Sequence, residues 1–145
     1  MKYLEIKEKQ KKEIESLPIY FAFGNKQLEE KVKELGFKNV DEMLENVTGI
    51  GAGGFVLVKD YDKVMNTFTK QREELKNLID NDDEFVIDAF EYELGNHEFV
   101  ITYDITETLN SLNIKYDMYK ENERLQDLME KAKNKYLEEM KKLGW

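Results

Sequence analysis

The sequence predicts an α+β fold: a mostly helical single domain over residues 1–145, with a small two- or three-stranded sheet and a long C-terminal helix. Apolar residues recur at helical spacing over most of the chain, whereas aromatic or β-branched runs are short and few. The composition is 41% hydrophobic and 12% aromatic, which supplies enough large side chains for a core. A chain of 145 residues is also the size of one ordinary domain.

The predicted helices combine apolar residues three or four apart with a residue that starts or stops a helix. Pro18 ends the first helix, and Asn25 and Gly36 are expected to cap and stop the second. Asn81, Asp82 and Asp83 offer a fresh start after the long helix before them. On these signals we expect helices over residues 2–16, 25–35, 41–46, 60–79, 83–94, 105–112 and 116–143.

Strands are predicted where aromatic or β-branched residues run together. The aromatic run at 19–23 predicts a strand that is buried on both sides and central in the sheet. The run at 54–59 should pair with it, and residues 98–103 are a third candidate.

The glycine-rich run at 49–54 matches the letters of the dinucleotide fingerprint G-x-G-x-x-G. That fingerprint follows a strand and opens a helix, whereas here a predicted helix precedes the run and a strand follows it. We therefore interpret the run as a bulge or tight turn at a strand entrance. The alternative is a backbone nest for an anion or a partner's carboxylate.

The residue inventory excludes several classes of protein. Without cysteine there is no disulfide, thiolate metal site or cysteine nucleophile. The first twenty residues lack a signal-peptide core, and no stretch approaches the roughly 20 apolar residues of a membrane span. We expect a soluble, cytoplasmic protein with no cofactor and no membrane partner.

All of the net negative charge lies between residues 77 and 114, here called the acidic segment. It holds ten Asp or Glu and no Lys or Arg. By contrast, residues 1–76 hold 14 basic and 14 acidic residues, and residues 115–145 hold eight basic and seven acidic residues. On the predicted helix, Glu84, Asp88 and Glu91 share one face. Such a face favours a basic partner, and carboxylates can also occupy a nuclease channel in place of phosphates. The alternative is a solvated face covered by lysines from the neighbouring segments. The residues predicted to bind a partner are Asp82, Asp83, Glu84, Asp88, Glu91, Glu93 and Glu98.

The only histidine lies inside this segment and suggests a second function. If the helix continues through Gly95, Glu93 and His97 are one turn apart and could share a metal ion. Glu98 or Asp104 would be a third ligand, and one imidazole among carboxylates suits Mg²⁺ or Mn²⁺. The alternative is that His97 pairs with a carboxylate in a structural role. No serine or cysteine nucleophile is positioned by a known motif.

The chain resembles a family of small uncharacterised proteins of phages and mobile elements over residues 18–135. The family pattern has alanine where this chain has Gly95. The resemblance implies a phage origin and a bacterial host but transfers no activity. The residues that carry it are Gly51–Phe55, Asp82–Phe85, Ala89, Phe90, Tyr92–Leu94, Asn96–Glu98, Thr102, Asp104, Thr106 and Leu109.

These observations favour a non-enzymatic phage-type accessory or anti-defence protein, an inhibitor that binds a basic surface of a host protein. By analogy with other small acidic phage proteins, the host protein would be a nucleic-acid-processing or CRISPR-type effector enzyme, with no direct nucleic-acid contact. The alternative is a small metal-binding domain or metal-dependent enzyme that uses Glu93, His97, Glu98 and Asp104. A homodimer through the Tyr- and Met-bearing final helix is a third interpretation.

Overall fold

A computed structural model describes residues 2–145, which divide into two compact units. Unit 1 comprises residues up to Lys9 together with Arg72–Trp145, and unit 2 comprises Gln10–Gln71. Helices α1, Lys2–Glu15, and α4, Tyr61–Asn81, each contribute residues to both units. The architecture is α+β, as predicted. The expectation of one domain for the whole chain stays a prediction.

Unit 1 is built around helix α5, Asp83–Asn96, which packs most extensively against α9. Asp82 starts α5 because its carboxylate accepts a hydrogen bond from the Phe85 backbone N–H at 3.0 Å. Phe85, Phe90 and Leu94 are fully buried, which places α5 at the centre of the core. The other helices of unit 1 are α6 at Phe99–Thr102, α7 at Thr106–Ser111, α8 at Tyr116–Lys120 and α9 at Glu123–Lys142.

Unit 2 contains a three-stranded antiparallel sheet in the order β1-β3-β2. Its core is formed around Val32, Met43 and Phe55. Gly36 ends α2 in the left-handed conformation, as predicted, whereas Gly24 rather than Asn25 is the N-cap of that helix. The strands are β1 at Tyr20–Phe21, β2 at Val47–Gly51 and β3 at Gly54–Leu57, and the helices are α2 at Asn25–Leu35, α3 at Val40–Glu45 and a short 3₁₀ helix at Val58–Asp60.

The prediction of a central strand at 19–23 is wrong about the place of this strand in the sheet. It pairs with β3 as expected, but only two residues are extended and they form an edge strand, with β3 in the centre. The exposed fractions of Phe21 and Phe23 are 50% and 65%, so this aromatic run is not buried on both sides. The two rings stack on each other instead, with centroids 6.4 Å apart.

The glycine-rich run forms a hairpin, and its first half belongs to β2, a strand that the sequence did not predict. The pairing of β2 with β3 shifts register between Gly49 and Gly51, which confirms the predicted bulge. Ala52 and Gly53 then form the turn with positive φ of 51° and 77°.

The predicted strand at 98–103 is also wrong, because residues 99–102 form a single helical turn, α6. Glu98 and Tyr103 flank this turn with φ of 56° and 54°. Two left-handed residues this close together do not allow an extended strand to continue.

The predicted continuous helix over 116–143 is divided in two. It breaks at Glu121, and Asn122 starts α9 by accepting a hydrogen bond from the Leu125 backbone N–H at 2.9 Å. The long C-terminal helix itself is confirmed as α9. Among the helices of residues 2–145, none has both the length and the apolar character that crossing a membrane requires.

Candidate functional site

A basic residue from α1, Lys2, lies against the first part of the acidic segment. The Lys2 ammonium is 3.1 Å from an oxygen of Asp82 and 3.9 Å from an oxygen of Glu84. The hydrogen bond from the Phe85 backbone N–H and the contact with Lys2 hold the pKa of Asp82 below its usual value. Glu84 remains highly exposed, with 88% of its side chain accessible.

Three further residues of the predicted partner-binding set also have partners within unit 1. Arg124 lies 2.7 Å from Asp83, and Lys135 lies 3.5 Å from Glu91. Asp88 accepts a hydrogen bond from the Tyr3 backbone N–H at 2.9 Å. Cations from the neighbouring segments therefore cover part of the acidic face, as the alternative interpretation expected.

Glu93 is the most deeply buried of the predicted site residues, with 1% of its surface exposed. Its Oε1 accepts a hydrogen bond from the Tyr3 hydroxyl at 2.6 Å and another from Lys7 at 3.2 Å. Its Oε2 accepts one from the Asn96 amide at 3.2 Å and lies 3.2 Å from His97 Nε2. Both carboxylate oxygens are thus occupied by side chains of the chain itself.

The environment of Glu93 favours its ionised form. Burial would raise the pKa of the carboxyl, but the hydrogen bonds from Tyr3 and Asn96 and the charge of Lys7 together lower it below its usual value. Burial and the adjacent Glu93 carboxylate raise the pKa of the Tyr3 hydroxyl far above its usual value. Glu93 is therefore an ionised acceptor held by a neutral phenol and an ammonium group.

Ser111, His97 and Glu93 lie close together but do not form a catalytic triad. A triad needs the serine on one ring nitrogen and the carboxylate on the other. Here Nε2 of His97 faces both Ser111 Oγ, at 2.7 Å, and Glu93 Oε2, at 3.2 Å. The Ser111 hydroxyl donates to the Glu107 carbonyl oxygen at 2.8 Å, so its proton is directed away from the imidazole. The geometry provides no activated nucleophile.

The four residues of the predicted metal site are only partly brought together. Helix α5 continues through Gly95, so the Glu93 and His97 side chains meet as the sequence suggested. Asp104 instead accepts a hydrogen bond from the Thr106 backbone N–H at 2.8 Å just before α7, whose N-cap residue is Ile105. Glu98 has a left-handed conformation before α6. Within residues 2–145, no three His, Asp or Glu side chains are grouped so that they could hold a metal ion.

A groove lies between α5 and the C-terminal half of α9, and its lining includes the predicted partner-binding residues Asp88 and Glu91. Its volume is about 620 Å³. Asp88, Glu91 and Glu139 supply negative charge, and Lys135 supplies the positive charge. Tyr92 and Tyr136 provide aromatic surface. We call this feature the acidic groove, and its lining residues are Asp88, Glu91, Tyr92, Gly95, Asn96, Lys135, Tyr136, Glu139, Met140 and Leu143.

Gly95 lies in the wall of the acidic groove. A Cβ added at Gly95 would lie 3.5 Å from Tyr136 Cε2, which is an ordinary contact distance. An alanine would therefore fit here, and the glycine leaves the groove slightly wider beside Tyr136.

Sequence reasoning missed three residues that define these sites: Tyr3, Lys7 and Glu139. Tyr3 and Lys7 lie 90 and 86 positions from Glu93 along the chain. The available signal was the i, i+4 spacing of Tyr3 and Lys7, which puts both on one face of α1. Glu139 was missed because it lies outside the acidic segment.

A family model described as "Family of unknown function (DUF7659)" matches residues 2–135. The searches of curated proteins and of solved structures returned no significant match. The match extends over all of α5 and its partners in α1, and over α9 as far as Lys135. The chain therefore belongs to the DUF7659 family of unknown function.

Proposed function

We propose that this chain is a non-enzymatic accessory protein that binds a basic segment of a host protein in the acidic groove. The observation that carries the proposal is the groove itself, where three carboxylates and two tyrosines surround a concave surface with one lysine. Tyrosine is favoured at interfaces because it combines apolar area with a polar group. A partner segment with Lys or Arg beside apolar residues matches this lining.

The charge of unit 1 supports a basic partner. Unit 1 contains 13 Lys and Arg against 21 Asp and Glu, a formal net charge of −8, out of −9 for the chain. The internal ion pairs described above are already included in this count. The surplus of carboxylates steers a basic partner toward this unit and repels an acidic one.

The resemblance to small phage and mobile-element proteins supports a host protein as the partner. A basic surface that normally binds nucleic acid is one that an acidic groove can occupy, since carboxylates then replace phosphates. This favours an anti-defence role against a nucleic-acid-processing or CRISPR-type effector enzyme. The crowded, internally bonded Glu93 network favours binding over catalysis, because neither carboxylate oxygen is left for a substrate.

The experiment is a selection from a surface-displayed library of random peptides, followed by calorimetric titration of the enriched sequences. We expect the enriched peptides to carry Lys or Arg next to apolar residues, and their binding to weaken as salt rises. Glu139→Lys should lower their affinity by at least about tenfold, because a like charge is placed in the groove.

The matched control is Glu138→Lys. It makes the same charge change one position away on α9, at an exposed residue outside the groove lining. A Glu139→Lys protein that binds as well as Glu138→Lys would rule out the acidic groove as the site. Enrichment of peptides with no cationic bias would rule out the proposed partner chemistry.

A further inference from the structure

A second cavity lies within unit 1, away from the acidic groove residues, where the C-terminal half of α4 faces the loop after α7 and the starts of α8 and α9. Its volume is about 330 Å³, which falls in the lower part of the range for small-molecule sites. Six apolar side chains line it, and we call it the apolar cavity. These are Leu75, Ile79, Leu112, Ile114, Met118 and Leu125.

The wall of the apolar cavity is continuous with the core of unit 1. Ile79, Leu112 and Leu125 are buried core residues, with exposed fractions of 6%, 2% and 6%. Met118 is instead 65% exposed, although its side chain lines the cavity. An unbranched thioether at the rim can adapt to the shape of an apolar guest. A wall of buried core residues together with the flexible Met118 side chain at the rim suits an alkyl chain.

The rim of the apolar cavity carries more positive than negative side chains. The rim has three cationic residues, Arg72, Lys76 and Lys115, and two anionic residues, Glu73 and Asp80. Lys76 is held by Asp80 at 2.6 Å. Lys115 forms no ion pair with any residue between 2 and 145. The rim is thus locally positive in a unit whose net charge is −8, which indicates an anionic guest.

We propose that the apolar cavity binds a small anionic amphiphile, namely an unbranched alkyl chain with a single carboxylate. The chain would lie against Ile79, Leu112 and Leu125, and the carboxylate would lie at Lys115. This site shares no residue with the acidic groove and does not depend on the function proposed for it.

The first experiment compares two probes that share a ten-carbon chain and differ in head-group charge. Sodium decanoate and decyltrimethylammonium bromide are titrated calorimetrically into the full chain, both below their micellar concentrations. We expect decanoate to bind at one site and the ammonium compound to bind at least about tenfold more weakly. Equal binding of both probes, or no binding of decanoate at millimolar concentration, would overturn the proposal.

Two variants locate the bound decanoate. Met118→Trp places a bulky ring at the rim and should abolish one-site binding. Because Met118 is exposed, we expect the fold to be kept, and circular dichroism checks this. Lys115→Gln should weaken decanoate about fivefold by removing one ion pair. Lys120→Gln is the matched control, since Lys120 ends the short helix α8 that Lys115 precedes as N-cap and lies outside the cavity lining. Equal effects of Lys115→Gln and Lys120→Gln, or unchanged binding in Met118→Trp, would contradict the site.

Discussion

Glu93 shows how a single buried carboxylate can be stabilised by contacts from distant parts of the chain. Its four contacts come from α1, through Tyr3 and Lys7, and from the end of α5, through Asn96 and His97. The Lys7 ammonium also lies 5.4 Å from the centroid of the Tyr3 ring and 5.1 Å from that of Tyr92. This arrangement links α1 to α5 within unit 1. It gives Glu93, which the sequence suggested as a partner-binding residue, a structural role.

Thr108 presents the opposite case, a buried polar group without a partner. It is fully buried on α7, and its hydroxyl oxygen makes no hydrogen bond with any described residue. We expect Thr108→Val to raise the free energy of unfolding by about 1 kcal/mol, because the isosteric methyl group removes an unsatisfied hydroxyl. Urea denaturation followed by circular dichroism measures the change.

The control for this prediction is Thr106→Val, the same substitution two residues earlier on α7. The Thr106 hydroxyl bonds to Asp104 at the start of the helix, so its removal should destabilise the protein. If Thr108→Val destabilises as much as Thr106→Val, the Thr108 hydroxyl has a partner in solution.

At the scale of elements, the break between α8 and α9 depends on Asn122. Its side chain accepts the hydrogen bond from the Leu125 backbone N–H that starts the 20-residue helix α9. We expect Asn122→Ala to destabilise the protein by about 1 kcal/mol and to lower Tm by about 3 °C. A thermal unfolding scan followed at the helical signal tests this.

Asn134→Ala is the matched control, since Asn134 is exposed in the interior of the same helix. There alanine is the better helix former, so its Tm should stay the same or rise slightly. A loss of stability in Asn134→Ala equal to that in Asn122→Ala would show that the cap is not the cause.

The elements that could be predicted are those that local patterns determine. Helix α2 combines amphipathic spacing with Gly36, and α5 follows the capping residue Asp82, so both begin and end close to the predicted residues. Residues 98–103 were assigned to a strand because they are apolar and aromatic. Their helical turn is flanked by left-handed conformations at Glu98 and Tyr103. Such conformations are expected at glycine, so nothing in the sequence signals them at these two residues.

Within the candidate site, only contacts between residues close in the sequence could be predicted. The approach of Glu93 to His97 follows from their spacing of four on a helix. Apart from Lys76, which contacts Asp80 within α4, the cations described above that cover the acidic segment come from α1 and α9. No local pattern shows which of the many lysines will lie there. Lys2 and Lys135 were therefore out of reach of sequence reasoning, as was the groove that Glu139 completes.

For the whole molecule, the charged network gives stability a defined dependence on pH. Folding lowers the pKa of Glu93, Asp82 and Asp104, so their contributions are present above the ordinary values of 4.5 for Glu and 3.8 for Asp and are lost as pH falls through the folded values. Folding raises the pKa of Tyr3, so its contribution is present below its ordinary value of 10.0 and is lost at higher pH. Stability should therefore be highest between these two limits.

The variant Glu93→Gln distinguishes the contribution of the buried Glu93 carboxylate to the pH dependence of stability from that of the exposed carboxylates. Glutamine keeps the shape but loses the charge that Tyr3 and Lys7 contact, so we expect the free energy of unfolding at pH 7 to fall by about 2 kcal/mol. As pH falls from 4.5 through the lower pKa of folded Glu93, the wild-type carboxylate also becomes neutral, so the difference between the two proteins should shrink. Urea denaturation of both proteins between pH 7 and pH 3 measures it. Because Asp82 and Asp104 titrate in both, the variant should keep a weaker acid dependence. A difference that stays constant over this range would show that the charge of Glu93 is not what the network stabilises.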